Sequence, residues 1–348
     1  MPCMLCLVGL ACAFAFAQAA PVGGVDAFRA ADGEPDPSFV HVGGASSLSA
    51  SVRDRSGGAF LAGQLTVPGG RVLPVVHLRA GGEVDAGFHV KVAGGRVLGV
   101  ALAGDRLVLV GSFTSVNGAP RRHVGLVDAS SGRTLRWAPA LPPGASASAT
   151  AVVAGSTLVV GAGRSIVAWR DGRAQPLWVR TSVFPGVGAR GWRWPLALWH
   201  GSLWSAADDP VLHIFRLDLK TGTGFSENVR SARGGQLQVI AGAMTALDGF
   251  GGYVTWSRPG VPFEEGGCGQ GQELAVTSVT GDAAALYSAV EPFDTGKTPS
   301  FSPISACPAA SSGRSAWQAK PTTASGFSAI ALVGRDVLAF TRPFTWAG

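Results

Sequence analysis

Short apolar runs, interrupted every few residues by Gly, Asp, Asn or Pro, dominate the chain. Representative runs are GGAFLAGQL at 57–65, RLVLVGSF at 106–113 and GSTLVVGAG at 155–163. They are continuous rather than alternating, which is typical of strands buried on both faces between stacked sheets. Outside the first 19 residues no stretch keeps a helical period for three turns. The pattern therefore predicts an all-β protein of many short strands joined by tight turns.

Two sub-patterns recur along the chain. The first is a strand, a turn and a second strand, and it occurs at 49–65, 99–113, 150–163, 196–208, 241–257, 279–293 and 328–342. The second is a following strand with an exit segment, and it occurs at 75–88, 124–137, 166–178 and 214–225. Large aromatic residues close successive exits: Phe39, Phe88, Trp137, Trp178 and Phe225. Such rings can fill the gap between neighbouring sheets, and the units are expected to stack and close.

The two ends of the repeat array carry complementary halves of the pattern. Residues 25–39 match the second half, whereas 328–342 match the first half and then stop. A ring in which the N- and C-terminal strands complete one shared blade explains both observations and removes exposed sheet edges. Seven copies of the first half predict a single β-propeller of seven blades. The copy at 279–293 is degenerate, so six blades is the alternative.

Residues 1–19 have the pattern of a signal peptide, which leaves 20–348 as the propeller domain. Residues 4–17 are apolar, and Ala17-Gln18-Ala19 is a small-residue cleavage site. The run is too short to span a bilayer, so no stable membrane span is expected after its removal. The alternative is a buried N-terminal strand or helix. The pattern predicts a secreted, periplasmic or cell-envelope-associated protein.

Cysteine usage agrees with export. Three cysteines lie within the first 19 residues, so the mature chain keeps only Cys268 and Cys307. In an oxidising compartment two cysteines predict one disulfide. Two inert buried thiols are the alternative.

The net charge of +6 comes from scattered basic residues. Nucleic-acid binders need a basic stripe that neutralises phosphates, and no such stripe is present. A nucleic-acid partner is therefore not expected.

Residues 57–139 resemble the bacterial delta-60-repeat β-propeller family. The resemblance rests on DAGF (85–88) and on VGSFTSVNGAPRRHVGLVDASSGRTLRW (110–137), and PDPSF (35–39) is a second copy of the exit motif. It weakens over 140–230, and 260–325 departs widely from it. The resemblance implies a secreted or cell-envelope propeller and brings no catalytic residues with it.

No recognisable catalytic, metal or cofactor motif is present. The six histidines form no HxH or HExxH pair, and there is no GxSxG or phosphate-binding loop. His77 and His89 share one repeat, but strand-end or loop positions are the simpler interpretation. The acidic pairs Asp208-Asp209 and Glu264-Glu265 are interpreted as turn residues. We therefore predict no catalytic residues, no metal and no cofactor.

A tryptophan cluster is the best sequence candidate for ligand binding. Trp192 and Trp194, with Arg190 and Arg193 beside them, precede a predicted strand and could stack on sugar rings and pair with anionic groups. Trp199 and Trp204 occupy strand positions and are expected to pack between blades.

The sequence thus favours a secreted, non-catalytic propeller that binds a protein or glycan partner through one face. The alternative is a propeller enzyme, a hydrolase or lyase, acting at the central channel. A structural module of a surface assembly is a third possibility.

Overall fold

A computed structural model gives the fold of the chain. The residues it describes are 25–39, 42–143, 150–163, 165–181, 195–208, 212–228, 237–240, 243–247, 253–256, 264–266, 274–281, 285–292, 304–308, 317–319 and 327–341. Within these residues all regular secondary structure is β-strand, and every pairing between neighbouring strands is antiparallel. The all-β prediction is therefore confirmed.

The first sheets follow one another along the chain. The first combines β1 (Val25–Arg29) with β28 (Asp336–Thr341) and β27 (Phe327–Val333); the second contains β2 (Gly43–Arg53), β3 (Ala59–Thr66) and β4 (Val72–Leu78); the third contains β6 (Val97–Ala103), β7 (Arg106–Gly111) and β10 (Val124–Asp128). A small sheet beside the third contains β5 (Val92–Ala93), β8 (Ser115–Val116) and β9 (Ala119–Pro120).

Four sheets of four strands follow. The fourth sheet contains β11 (Ala151–Ala154), β12 (Thr157–Ala162), β13 (Ser165–Arg170) and β14 (Trp178–Thr181), and the fifth contains β15 (Leu196–Trp199), β16 (Ser202–Asp208), β17 (Leu212–Leu217) and β18 (Gly224–Asn228). The sixth contains β19 (Leu237–Ile240), β20 (Ala243–Leu247), β21 (Tyr253–Trp256) and β22 (Glu264–Gly266). The seventh contains β23 (Leu274–Gly281), β24 (Ala285–Pro292), β25 (Ile304–Pro308) and β26 (Trp317–Ala319). Each sheet pairs its strands in chain order.

The strand pairs predicted from the first sub-pattern are all present as antiparallel hairpins. Six of them are the first two strands of a sheet: β2–β3, β6–β7, β11–β12, β15–β16, β23–β24 and β27–β28. The copy at 241–257 is β20–β21, the second and third strands of its sheet, because β19 precedes it at Leu237–Ile240. The degenerate copy at 279–293 corresponds to β23–β24. The first strands of successive sheets also touch one another in turn, from β2 through β6, β11, β15, β19 and β23 to β27, and β27 touches β2.

The two ends of the array meet in one sheet, as predicted. β1 pairs with β28 from Val25 opposite Phe340 to Arg29 opposite Asp336. The turn after β27 contacts the second sheet, because the Gly334 amide donates to the Gly57 carbonyl at 2.6 Å. The first and last parts of the chain therefore hold each other in place.

The core lies between the sheets, and the exit aromatics fill it as predicted. Phe39 packs between the first and second sheets, and Phe88 packs between the second and third. Trp137 and Trp178 pack at the next two gaps, and each indole Nε1–H donates to a carbonyl of the following sheet's turn, Arg173 and Leu219 respectively, at 2.9 Å. The Phe225 side chain is outside the described part of the structure.

Carboxylates hold several of the turns that follow strands. Asp128 accepts hydrogen bonds from the hydroxyl and the backbone amide of both Ser130 and Ser131. These hydrogen bonds, with the Ser131 hydroxyl the largest contributor, lower the pKa of Asp128 to about 2. Asp218 holds the turn after β17 in the same way, through the amides of Lys220 and Thr221.

Asp336 is a buried carboxyl where the two ends of the chain meet. It begins β28, is 4% exposed, and its Oδ1 has no hydrogen-bond partner within the described residues. Burial raises its pKa, and the negative charge of Asp36 raises it further, against the opposing influence of Arg335 and Arg29. The folded protein therefore binds this proton more tightly than the unfolded chain does.

We expect Asp336→Asn to stabilise the protein at neutral pH by about 1 kcal/mol, since it removes an unsatisfied buried charge. A raised pKa gives stability that is complete at acidic pH and lost as pH rises through the folded-state pKa. The variant should lack this loss of stability as pH rises above the ordinary pKa of an aspartate. Urea unfolding across that pH range measures both effects. Asp105→Asn, at an exposed turn position, is the control. Equal responses of the two variants would contradict the prediction.

Candidate functional site

An Asp–His–Asp network joins three segments of the second sheet. His77 on β4 places Nε2 2.8 Å from Asp54 Oδ2 and Nδ1 2.9 Å from Asp85 Oδ2. The imidazole also stacks on Phe60, with ring centroids 4.2 Å apart, and meets Phe88 edge-on. Because carboxylates only accept, both ring nitrogens donate at once when the imidazole is protonated.

Both carboxylates of this network are held in the charged form. Burial by itself would raise the pKa of Asp54, but hydrogen bonds from His77, Ser56 and Gly58 outweigh it and lower that pKa. The pKa of Asp85 is lowered against burial in the same way, by Gly87, His77 and Arg79. Since the network's charged groups satisfy one another, we interpret it as a structural cross-connection rather than a reactive site.

The histidines of this repeat do not converge. His77 is tied to two carboxylates, whereas His89 is exposed. No group of three or more His, Cys, Asp or Glu side chains in the described residues has an arrangement that could hold a metal ion.

The residues predicted from the tryptophan cluster divide into two groups. Trp199 and Trp204 are 4% and 1% exposed and meet edge-on with ring centroids 5.4 Å apart, which confirms that they belong to the core. The candidate binding residues Arg190, Trp192, Arg193 and Trp194 lie outside the described residues.

The predicted disulfide cannot be placed. Cys268 lies outside the described residues, and Cys307 lies in β25 without a described side chain. The acidic pairs were partly misassigned: Asp208 ends β16, and Glu264 and Glu265 begin β22, so these three are strand residues. Backbone pairing with β17 and β21 accounts for the difference.

A pocket of about 640 Å³ opens at one end of the third sheet. β7 ends at Gly111 and β10 begins at Val124, so the connection between them lies at this end. The segment 138–143, which leads on towards β11, forms the other wall. The lining residues are Pro120, Arg121, Arg122, His123, Val124, Ala138, Pro139, Ala140, Leu141, Pro142 and Pro143. We call this the loop-end pocket.

Arg121 ties the first wall of the loop-end pocket to the backbone just before the second wall. Its Nη1–H donates to the Pro120 carbonyl and its Nη2–H to the Leu135 carbonyl, both at 2.8 Å. Its Nε–H is buried and has no acceptor within the described part of the chain. The guanidinium is thus held by backbone carbonyls while one of its donors stays unsatisfied.

His123 is held in a conformation that non-glycine residues rarely adopt. Its φ is +69°, and its backbone amide donates to the Phe113 carbonyl at 2.9 Å. Its Nδ1 lies 3.0 Å from the Gly111 carbonyl, and because a carbonyl only accepts, Nδ1 carries the proton. In the neutral ring, Nε2 is therefore an acceptor. Backbone strain of this kind clusters at binding sites.

The hairpin of β8 and β9 makes the pocket wall rigid. Its turn is Asn117-Gly118, and both residues have positive φ, as a two-residue hairpin turn requires. The Asn117 side chain accepts from the Lys91 amide and donates to the Gly132 carbonyl, both at 2.8 Å. The hairpin is therefore anchored on both sides.

Sequence reasoning missed the pocket, because neither Arg121 nor Arg122 belongs to a binding motif that the sequence shows. Two signals could have found it: the connection 112–123 is longer than the corresponding 67–71 of the second sheet, and the proline-rich APALPP follows at 138–143. The two segments come close together only in the folded chain, so the sequence alone does not show the pocket between them.

No protein-family model matches the chain, and no curated protein matches it. Among solved structures it is similar to YCF48 bound to D1 peptide, at 11% identity and a TM-score of 0.52, covering 95% of this chain and 98% of that one. Human WBSCR16 is similar at 10% identity and a TM-score of 0.53, over 94% and 100% of the two chains. The extracellular domain of BT4673 from B. thetaiotaomicron is similar at 11% identity and a TM-score of 0.55, over 85% and 40%.

These structures are β-propeller-like, and at such low identities the likeness concerns the fold alone. The chain is therefore an all-β protein of antiparallel sheets with a propeller-like fold. Among its described residues no helix has the length and apolar character of a membrane span.

Proposed function

We propose that the chain forms a single seven-bladed propeller and binds an extended peptide segment of a protein partner in the loop-end pocket. The ring of contacts among the first strands, from β2 round to β27 and back, supports seven blades. Each of the seven main sheets then forms one blade, and β1 completes the blade of β27 and β28.

The pocket is the observation that carries the binding function. At about 640 Å³ it has the volume of a ligand site, and such sites combine apolar walls with a few polar groups. Here Pro139, Leu141 and Pro142 supply apolar wall, whereas Arg122 and His123 supply polar groups. The solved structure of YCF48 with a peptide agrees with a peptide ligand for this fold.

A display selection tests this function. Random peptides would be selected on the wild-type protein and then rebound to Ala140→Trp, which fills the pocket, and to Ala86→Trp, an equal enlargement at an exposed turn outside it. Selected peptides should lose binding by about tenfold or more, about 1.4 kcal/mol, on Ala140→Trp only. Failure to select any peptide sensitive to Ala140→Trp would contradict the proposal.

We further propose that the chain is an exported member of the delta-60-repeat family with a Cys268–Cys307 disulfide. The signal-peptide pattern of residues 1–19 and the repeat phrase support this assignment. Expression in a bacterial host, N-terminal sequencing and thiol counting test it. A mature protein that begins at Ala20 and has no free thiol is expected. An uncleaved protein with two free thiols beyond residue 19 would contradict export and the disulfide.

A further inference from the structure

The loop-end pocket carries positive charge that no lining carboxylate neutralises. Arg121 and Arg122 line it, and no Asp or Glu is among its described lining residues. Arg122 is exposed, and no acidic side chain in the described part of the chain pairs with it. Resting on the function proposed above, we infer that the pocket selects acidic peptide segments, with an Asp or Glu carboxylate seated against Arg121 and Arg122.

The state of Arg121 favours an anionic group over a neutral one. Its described partners are all backbone carbonyls, so its charge is not balanced by an opposite charge. Its buried Nε–H lacks an acceptor, and an unsatisfied buried donor of a charged group is costly. That donor is buried, so a ligand in the pocket meets the uncompensated charge of Arg121 and the exposed guanidinium of Arg122, which can donate to a carboxylate in a charge-assisted hydrogen bond.

His123 adds a hydrogen-bond acceptor beside the two arginine donors. Its Nδ1–H is committed to the Gly111 carbonyl, so Nε2 is an acceptor in the neutral ring, and His123 is one of the residues that line the pocket. An acceptor beside two cationic donors matches a peptide unit, whose amide N–H donates while an acidic side chain accepts. The wall opposite is built from Pro139, Pro142 and Pro143, which present a fixed apolar surface.

The residues that line the pocket also favour a peptide over an anionic glycan as its ligand. Sugar rings are commonly bound by stacking on aromatic side chains, and the described lining residues include no Phe, Tyr or Trp. The aromatic nearest in sequence, Trp137, packs against the core between the third sheet and the next, and its indole is bound to the Arg173 carbonyl. We therefore commit to an acidic peptide rather than to a glycan.

The peptides selected in the display experiment test this inference through their composition. Asp and Glu should be enriched among peptides that bind wild type but not Ala140→Trp. A fluorescent copy of the best peptide should bind Arg122→Glu about tenfold or more weakly, since a charge-assisted hydrogen bond is lost and like charges are opposed. Its Asn and Gln counterpart should bind wild type with a similar loss.

Arg133→Glu is the matched control. Arg133 is also exposed, and it follows the end of β10 that is opposite the pocket. The substitution changes the net charge by the same amount as Arg122→Glu. It should leave affinity unchanged. His123→Asn keeps a residue that tolerates positive φ and can still donate to Gly111, but it removes the Nε2 acceptor, so it should weaken binding at an unchanged unfolding midpoint.

The outcomes separate this inference from the proposed function. Pocket-dependent peptides without acidic enrichment, or equal losses in Arg122→Glu and Arg133→Glu, would overturn the inference and leave peptide binding in place. Stronger displacement by oligogalacturonate than by the acidic peptide at equal carboxylate concentration would also overturn it and indicate a glycan ligand. The absence of any pocket-dependent peptide would remove both proposals.

Discussion

Replacing His77 with alanine is expected to lower the free energy of unfolding by about 3 kcal/mol, as for loss of one partner from a buried ion pair. The ring is only 13% exposed, and it lies between two carboxylates and contacts both through its ring nitrogens. Without it, Asp54 and Asp85 lose their common partner, and Phe60 loses the ring stacked on it. Urea unfolding at neutral pH measures the change.

The pH dependence gives this prediction a second readout. The lowered pKa values of Asp54 and Asp85 mean that they contribute stability above their unfolded-state pKa, and that this stability is lost as pH falls through the folded-state values. In His77→Ala those folded-state pKa values rise, so the acid-dependent contribution should shrink. His89→Ala is the control because His89 is exposed, and it should change stability by less than about 0.5 kcal/mol. Similar losses in the two variants would refute the structural role of the network.

Gly334→Ala should be comparably destabilising, by about 3 kcal/mol, for a reason that concerns the backbone alone. Gly334 has a φ of +57°, and a Cβ added there would lie 2.1 Å from the Ala80 carbonyl oxygen. The substitution therefore combines the cost of left-handed backbone in an L-residue with a clash that must separate the turn from the second sheet. The Gly334–Gly57 hydrogen bond should be lost with it. Thermal and urea unfolding provide the measurement.

The chain offers a close control at the equivalent turn of another hairpin. Gly104 between β6 and β7 has a φ of +62°, but beyond its two chain neighbours no residue has an atom within 4 Å of the added Cβ. Gly104→Ala should cost only the backbone term, about 1 kcal/mol. If Gly334→Ala cost no more than Gly104→Ala, the contact between the first and second sheets would be unimportant for stability.

The repeated hairpins could be predicted from the sequence because their information is local. A glycine turn such as Gly104-Asp105 and the apolar runs on either side specify a hairpin within a few residues. The match between residues 25–39 and the second half of the repeat then predicted the pairing of β1 with β28. Four of the exit aromatics, Phe39, Phe88, Trp137 and Trp178, were assigned correctly for the same reason, since their positions recur with the turn.

The candidate site could not be predicted in this way, because its residues are related only through the fold. His77 meets Asp54 across 23 positions, and Arg121 reaches the Leu135 carbonyl across 14. The repeat pattern predicts the strands and loops in which these residues lie, but it does not predict which of them are in contact. The missing acceptor of the Arg121 Nε–H and the positive φ of His123 are visible only in three dimensions.

The pairing of β1 with β28 also orders events during synthesis. Residues 25–29 leave the ribosome first among the strands, yet their partners at 336–340 are translated more than 300 residues later. Until then β1 has no strand to pair with, and the turn at Gly57 has no Gly334 amide to accept. Intermediate sheets can form hairpins as they emerge, but the sheet of β1, β27 and β28 is completed only after translation of β28. A nascent chain stalled before β28 should therefore remain protease-sensitive at its N-terminal strand.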